Sequence, residues 1–432
     1  MTFFGMHFVY LYCKNKLKMR FFVKQIFFLL LTTHVYSQIQ EEVNPPENIK
    51  TIIFKGPTDD QFPVVKLGDP IYLEFDDLTA SEQDYYFKIV YCNYDWTPSE
   101  LLKSQYLRGT DNQRIINYTN SYNTLEAYSN YQLTIPNKVV SLKVSGNYVL
   151  EIYNSINELQ FSRRFVVYKD LAKVAATTRN SRNFDFLNQK QSVQFTIAPF
   201  NLQLINPVKE VKIAIIQNYQ WSNVITDVPP QFTLGNSLVY KYDKETSFFG
   251  GNEFLNFDTS DLRAPTSSIS RIEYDDLYHH YLFTDDYRFD KAYTYFPDIN
   301  GDFTIRTLQG EDPSRESEYS MIHFSLPYTM DIGLNEIYVY GKYNNYALEE
   351  ANKMIYNAET GNMEATIKIK QGFYNYKYVL KNEDGRVDLN KICGNFNFTE
   401  NNYLILVYYR NFGDLYDSII GIGTTNSENI TN

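Results

Sequence analysis

Histidine and acidic side chains are the groups of this 432-residue chain that could support metal or acid–base chemistry. One cluster in the sequence consists of Glu273, Asp275, Asp276, His279 and His280, and His323 follows later. No HExxH or CxxC spacing accompanies them. Because neighbouring residues of an extended strand point to opposite faces, His279 and His280 cannot both face one site. We therefore predict no metal site and interpret these histidines as edge or surface residues.

Two further motifs resemble ligand-binding loops without completing them. Residues 298–302 (DINGD) lack the residue order and the distal Glu of a calcium loop, and the Asn300-Gly301 step predicts a hairpin turn instead. Residues 421–423 open a GxGxx pattern in which Asn426 replaces the third glycine. No GxSxG elbow for a nucleophile occurs. The sequence therefore predicts no catalytic residue, no cofactor and no enzyme activity.

The first 37 residues have the three parts of a secretory signal. Two basic residues precede a short apolar run at 26–33, and the small residue Ser37 follows it. The run is too short for a transmembrane helix, which needs about 20 apolar residues. We predict cleavage after Ser37 and export of the remaining chain, with Met19 a better initiator than Met1.

Cleavage makes the charge imbalance of the chain larger. The whole chain has a formal net charge of −11, and the 37 leading residues contain five Lys or Arg but no Asp or Glu. The mature chain thus has 35 basic and 51 acidic residues and a net charge of −16. An acidic body argues against binding to nucleic acid or to an anionic membrane leaflet. Cys92 and Cys393 remain, and they either pair between domains or stay buried thiols, of which we favour the second.

Alternation of apolar and polar residues with a period of two dominates the chain from about residue 48. Runs rich in β-branched and aromatic residues lie at 71–75, 131–135, 148–153 and 161–168. A second group lies at 192–197, 211–216, 232–242 and 271–283, and a third at 321–326, 336–343, 364–370, 374–381 and 403–410. No window sustains a helical stripe. The pattern predicts an all-β protein built from antiparallel sandwiches.

Loss of this alternation marks two predicted linkers. Residues 170–190 hold basic and polar clusters, and residues 309–317 are polar, charged and interrupted by Pro313. The linkers divide the mature chain into three parts. We predict an N-terminal β-sandwich domain at 38–170, a middle β-rich domain at 171–312 and a C-terminal β-sandwich domain at 313–432.

Several segments together resemble the plug proteins of the type IX secretion system of Bacteroidetes. They are residues 59–78, 91–137 (which include YCNYDWTPSELLKSQYL), 145–153, 247–258, 371–380 and 399–410. The resemblance implies a periplasmic, non-enzymatic protein that seals the periplasmic opening of the giant outer-membrane β-barrel translocon while no substrate passes. The implied partner is that barrel. The chain itself is expected neither to span the membrane nor to bind nucleic acid.

Residues 247–254 (SFFGGNEF) are the most distinctive segment within the resemblance. Phenylalanines that flank a glycine pair are unusual in a solvated loop. The candidate interface or interdomain residues are Trp96, Phe248, Phe249, Gly250, Gly251 and Phe254. The segment either packs between domains or contacts the translocon, and we favour packing between domains.

Residues 339–346 and 371–378 are similar to early-set domains of the glycogen-binding kind, which stack sugar on two Trp. Tyr346 stands at one of these positions and Met363 at the other, while Lys377 matches a ligand-binding Lys. Met in place of Trp removes a stacking platform. The match favours two to three tandem immunoglobulin-like or early-set β-sandwich domains. It leaves a periplasmic carbohydrate-binding module as the alternative function, with Tyr346 and Lys377 as its candidate residues.

Overall fold

Runs of alternating residues form strands in the computed structural model, most of them paired antiparallel, because a strand with one apolar face can bury it against a facing sheet. The structure describes residues 39–428 and Ile430, so the predicted signal segment and its cleavage site lie outside the described residues. The all-β prediction is confirmed, and the strands build three β-sandwiches, each with its own hydrophobic core. Among the described residues, no helix has the length and apolar character needed to cross a membrane.

The first sandwich is formed by the N-terminal part of the described chain. Its elements are β1 (Ile49–Lys55), β2 (Val64–Lys66), β3 (Ile71–Asp77), β4 (Tyr86–Cys92), α1 (Lys103–Tyr106), β5 (Leu107–Gly109), β6 (Gln113–Arg114), β7 (Asn117–Asn120), β8 (Ser129–Ile135), β9 (Val140–Leu142), β10 (Gly146–Tyr153) and β11 (Leu159–Tyr168). The sheet β1-β3-β8-β7 faces the sheet β2-β11-β10-β4-β6, and β5 pairs with β9. Phe75 of β3 meets Phe161 of β11 in the facing sheet edge-on, with 5.2 Å between ring centres, so aromatic rings fill the space between the sheets.

The chain then enters a second sandwich. Its elements are β12 (Ala172–Asn180), β13 (Lys190–Pro199), α2 (Pro207–Glu210), β14 (Val211–Gln217), β15 (Ile225–Thr226), β16 (Phe232–Leu234), β17 (Ser237–Tyr240) and β18 (Ser247–Phe249). One sheet has the order β12-β13-β17-β16, with β18 also paired to β13. Its buried residues Phe195 and Ile197 share a core with Ile213 and Ile215 of β14, which belongs to the facing sheet.

The third sandwich follows directly. Its elements are β19 (Leu255–Asp258), β20 (Ile269–Tyr274), β21 (Tyr278–Leu282), β22 (Phe303–Ile305), α3 (Pro313–Glu316), β23 (Tyr319–Pro327), β24 (Glu336–Tyr340), β25 (Ile355–Asn357), β26 (Asn362–Lys370), β27 (Gly372–Lys381) and β28 (Val387–Asp388). Strand β27 pairs with β19, β22, β24 and β28, and the facing sheet has the order β20-β21-β23-β26-β25. Short 3-10 turns lie at Phe184–Phe186, Trp221–Asn223, Lys342–Asn344 and Glu350–Asn352.

The last two strands return to the second sandwich. They are β29 (Asn402–Tyr409) and β30 (Ser418–Asn426), and the completed sheet has the order β15-β14-β29-β30. Strand β14 pairs with β29 along its whole length, from Val211 opposite Tyr409 to Gln217 opposite Tyr403. The third sandwich is therefore inserted in the chain between strands of the second. The predicted boundary between the middle and C-terminal domains at 312/313 stays a prediction. Strands β14 and β29 lie on opposite sides of this boundary in the sequence and share one sheet.

A fourth apolar cluster joins the first sandwich to the second. It includes Val149 of β10 and Leu406 of β29. Beside it, the Tyr408 hydroxyl donates to Asn147 Oδ1 at 2.9 Å, and the Tyr91 hydroxyl donates to the Asp417 carbonyl at 2.8 Å. Both bonds are buried, so the two sandwiches are held in one orientation.

The structure also corrects local predictions. The first half of the segment predicted as a linker at 170–190 is strand β12. The runs at 232–242 and 271–283 are each broken by a turn into a hairpin, at Gly235-Asn236 and at Asp275–Leu277. His280 is fully buried in β21, because its ring packs inside the third sandwich next to the Leu262 carbonyl, so the prediction of a surface histidine was wrong for it.

Candidate functional site

Trp96 lies where the first and second sandwiches meet. It follows β4 in a turn with a left-handed backbone (φ 64°) and is buried. Its ring meets that of Trp221 edge-on, with 4.8 Å between ring centres, and the guanidinium of Arg164 lies 4.5 Å from its ring centre. Trp96 thus contributes an aromatic and cation–π contact to the junction between the two sandwiches.

The segment 247–254 connects the second core to the third sandwich. Phe248 is 5% exposed and packs on Tyr403 of β29, with 5.4 Å between ring centres. Phe254 is 4% exposed and lies under the ammonium of Lys377 at 4.8 Å. Phe249 points outward, 43% exposed, beside Lys190. The two flanking rings are thus buried in different places and the ring between them faces solvent.

The glycine pair is needed because the backbone of another loop lies against it. A Cβ atom at Gly250 would lie 2.0 Å from the Phe396 carbonyl oxygen. Gly251 has φ 70°, a conformation that side chains disfavour, and its N–H donates to Asn395 Oδ1 at 2.8 Å. The segment is therefore attached to the loop that leads into β29.

Glu253 is a buried carboxyl of this segment that sequence reasoning did not single out. Its side chain accepts a hydrogen bond from the Tyr293 hydroxyl, and Arg288 donates to its carbonyl oxygen rather than to its carboxylate. Burial raises the pKa of Glu253 to about 7. Its position beside Phe254 was the only indication in the sequence that Glu253 could be buried. The order of residues in the segment does not indicate that the carboxyl faces inward.

The two sugar-binding candidates are brought into one aromatic cluster with Phe254. The Lys377 ammonium lies 5.7 Å from the Tyr340 ring centre, and that ring is 5.0 Å from the ring of Tyr346. Burial lowers the pKa of Lys377, whose ammonium is covered by Phe254. Met363, at the second stacking position, is buried in the third core. Sugar binding stays a prediction. Tyr346 is partly buried and lines the two cavities of the chain described below.

A cleft of about 750 Å³ lies between the first and third sandwiches. One wall includes residues 41–54 with Arg163, and the other includes residues 342–352 with residues 367–370. Residues 219–222 of the second sandwich also line the cleft. The walls touch at one end, where Asn345 Nδ2 donates to Glu42 Oε2 at 2.6 Å. Its volume is in the range of ligand-binding clefts. The sequence could not indicate this cleft, because its walls come from segments about 300 residues apart.

A smaller cavity of about 330 Å³ adjoins the cleft and shares Lys342 and Tyr346 with it. Its acidic lining residues are Asp59, Asp60, Asp298, Asp302 and Glu400. Asp298 and Asp302 accept hydrogen bonds from backbone N–H groups of their own loop, which accounts for their position. Asn300 and Gly301 both have left-handed backbones, so a turn forms at this step. The hairpin prediction was wrong, because residues 292–299 form no strand and β22 pairs with β27 instead.

The cluster of histidines forms a pair rather than a ligand set. His279 Nδ1 and His323 Nε2 share a hydrogen bond of 2.9 Å, and the His323 ring stacks on Tyr281. Burial lowers the pKa of His323 to about 4, with the neighbouring His279 acting in the same direction. Across residues 39–428, no group of three or more His, Cys, Asp or Glu residues has the arrangement of a metal site.

Comparison with known proteins assigns the family. Residues 49–169 match the family model described as the first domain of the type 9 secretion system plug protein. The crystal structure of a hypothetical protein from Parabacteroides merdae ATCC 43184 is 31% identical in sequence over 90% of this chain and 100% of that chain, with a TM-score of 0.85. The chain belongs to the type IX secretion system plug family. No curated protein matches it by sequence.

The plug-family match coincides with the first sandwich, since β1 begins at Ile49 and β11 ends at Tyr168. This domain supplies Trp96 and one wall of the cleft. The P. merdae structure is similar to this chain over 90% of its length, which includes the inserted third sandwich. The sequence resemblance to plug proteins is thus confirmed. Members of this family are components of a protein secretion system.

Proposed function

We propose that this protein occupies and seals the periplasmic opening of the outer-membrane translocon barrel of the type IX secretion system while no substrate passes. The observation that carries the proposal is the match of residues 49–169 to the first domain of the plug proteins. The predicted signal at 1–37 agrees with a periplasmic location, reached by export and cleavage. In this role the protein acts by binding and catalyses no reaction.

The packing of the three sandwiches supports a sealing role. Asp76 of the first sandwich and Lys370 of the third form a buried ion pair at 2.7 Å. Gln61 Nε2 donates to the Phe303 carbonyl at 2.7 Å across the same junction. Satisfied polar contacts in the interior fix one arrangement of the parts they join. A body held in this way can resist deformation when it is pressed into a pore.

An exposed aromatic patch offers a contact surface for such a partner. The segment 289–296 presents Phe289, Tyr295 and Phe296, each about half exposed. Tyr293 of the same segment lies 6.5 Å, between ring centres, from exposed Phe398. Large exposed aromatic groups mark protein interfaces more often than scattered aliphatic ones do. We propose this patch as part of the surface that contacts the translocon.

An affinity pull-down tests the proposal. The tagged mature protein is incubated with detergent-solubilised outer membranes from the source bacterium, taken while secretion is idle. A very large barrel protein should be recovered, and a Tyr295→Asp/Phe398→Asp variant with unchanged thermal stability should recover much less of it. Failure of the wild-type protein to recover any such barrel would overturn the plug assignment.

A further inference from the structure

We propose that the 750 Å³ cleft between the first and third sandwiches binds an extended acidic peptide segment, which adds as a strand while Arg163 and Lys342 hold its carboxylate. The proposal goes beyond the plug role, because the occupant is defined by the chemistry of the cleft and not by the translocon. It rests on strand edges, on the charges deep in the cleft and on the apolar floor.

Two strand edges without a neighbouring strand line the cleft. Within the described residues, β1 pairs with β3 and with no other strand. On the other wall, β25 pairs with β26 only at residues 362–364, so residues 365–370 of β26 have a partner, β23, on one side alone. Unpaired N–H and C=O groups at an edge are a template for an added strand. A peptide in this cleft would therefore find backbone partners on either wall.

The edge of β1 admits a short strand. Its register shifts between Lys50 and Ile53, and Thr51 has φ 52°. The Thr51 hydroxyl shares a 2.6 Å hydrogen bond with the Tyr319 hydroxyl, which closes one end of the cleft. A bulge of this kind limits pairing along an edge. An added strand is thus expected to pair over a few residues rather than along all of β1.

Two cations deep in the cleft have no ion-pair partner among the described residues. Arg163 is 7% exposed, and its Nη1 donates to the carbonyl oxygens of Val43 (3.1 Å) and Ser162 (2.8 Å). Lys342 Nζ has two weak contacts, to Asn345 Oδ1 at 3.4 Å and to the Tyr346 ring centre at 5.8 Å. Burial lowers the pKa of both groups. A buried cation with only neutral partners is stabilised by an added anion.

The carboxylates that line the cleft do not form ion pairs with Arg163 or Lys342, so an added anion can bind between these two cations. Glu42 accepts from Asn345 Nδ2 and from the Arg164 backbone N–H, so its oxygens are engaged. The exposed carboxylates at the mouth are Glu41, Glu47 and Glu350. Glu42 and Glu349 counteract the lowering of the Arg163 pKa only in part. The cleft lining has six Lys or Arg and five Glu residues, so it is less acidic than the chain as a whole.

The floor of the cleft suits the other face of an extended peptide. It includes the apolar side chains of Ile49, Phe54, Ile367 and Ile369 and the ring of Tyr374, which belong to the two cores and present only their outer atoms to the cleft. Successive residues of a strand point in opposite directions. An acidic residue can thus reach Arg163 while β-branched neighbours pack on the floor. This arrangement selects a peptide that alternates apolar and polar residues around a central acid.

Calorimetric titration with the synthetic peptide acetyl-VTVEVTV-amide tests the proposal, with Trp221 fluorescence as a second readout because Trp221 lines the cleft. The protein without residues 1–37 should bind one peptide. The peptide VTVQVTV should bind at least about tenfold more weakly, since it lacks the charge held by Arg163 and Lys342. The peptide VTVEPTV should also lose binding, because proline lacks the N–H that pairs with an edge.

Protein variants assign the site. Arg163→Gln should remove the preference for the Glu peptide over the Gln peptide, and Lys342→Gln, at a less buried position, should reduce it. The exposed cation of the same sandwich, Lys138, gives the control Lys138→Gln, which should bind as the wild type does. Equal binding of the Glu and Gln peptides by the wild type, or binding of neither, would overturn the proposal. Neither result bears on the pull-down of the translocon.

Discussion

Asp76 and Lys370 form a buried ion pair across 294 positions of the sequence, with Lys370 Nζ 2.7 Å from Asp76 Oδ2. Both side chains are almost fully buried, at 0% and 1% exposure. Asp76 also accepts hydrogen bonds from Asn130 and Tyr319, and Lys370 also donates to the Ser314 carbonyl. The pair therefore joins β3 of the first sandwich to β26 of the third within a fully bonded network.

Substitution of Asp76 or Lys370 alone should destabilise the folded protein, because the remaining charge is buried without a counterion. In Asp76→Asn, Lys370 keeps its charge without a counterion, so we expect a loss of about 3 to 5 kcal/mol in the free energy of unfolding, measured in urea. The exposed pair Lys55–Asp59, at 3.4 Å, provides the control. Asp59→Asn should cost less than about 1 kcal/mol. Similar losses in the two variants would contradict the role of the pair at the junction.

The segment 247–254 allows a matched test of packing. Phe248→Ala and Phe254→Ala each remove a buried ring and should each cost about 3 kcal/mol or more in the free energy of unfolding. Phe249→Ala, at the exposed position between them, should cost less than about 1 kcal/mol. Unchanged thermal stability of the Phe248→Ala/Phe254→Ala double variant would rule out packing as the role of these rings.

Glu253 should make stability depend on pH. Burial raises its pKa from 4.5 to about 7 in the folded protein. Between these values the folded chain retains a proton that the unfolded chain has released, so the stability contributed by this group falls as pH rises from about 4.5 to about 7. Above pH 7 the loss is complete. The neutral isostere Glu253→Gln removes this dependence and can still accept from Tyr293.

Unfolding in urea at several pH values checks this. We expect Glu253→Gln to be more stable than the wild type by about 1 to 2 kcal/mol at pH 8, with the difference vanishing near pH 4. Glu47→Gln, at an exposed position, should show no such trend. A Glu253→Gln variant that loses stability at pH 8 would mean that the carboxylate is needed in its charged form.

Strands could be predicted from the sequence where one face of the strand is buried and the other is exposed, because apolar and polar residues then alternate. The run at 364–370 and the observed β26 (Asn362–Lys370) agree closely, because alternation is strict there. Strand β12 was missed since its small and polar residues alternate weakly. It packs against β30, where a Cβ at Gly421 would lie 2.6 Å from the Ala172 carbonyl. The GxGxx pattern thus reflects close contact between strands, which no local pattern indicates.

The candidate site was predictable only in part, because most of its contacts join segments that are distant in the sequence. The composition of SFFGGNEF pointed to an unusual segment, and the Gly250 contact with Phe396 explains the glycine there. The cleft and the Asp76–Lys370 pair depend on contacts between distant segments. Arg163 and Lys342 are ordinary cations in the sequence, and only their burial on facing walls distinguishes them.

Cys92 and Cys393 lie in different apolar clusters as free, buried thiols, as the sequence interpretation favoured. Burial raises the pKa of Cys92 to about 12, and the Cys393 thiol donates to the Tyr378 carbonyl at 3.4 Å. Because the thiolate is the reactive form, both should resist a thiol reagent such as DTNB in the native protein at pH 8. In a chain expressed without residues 1–37, two thiols should react once guanidinium unfolds it. Rapid reaction of either thiol before unfolding would show that its core opens readily.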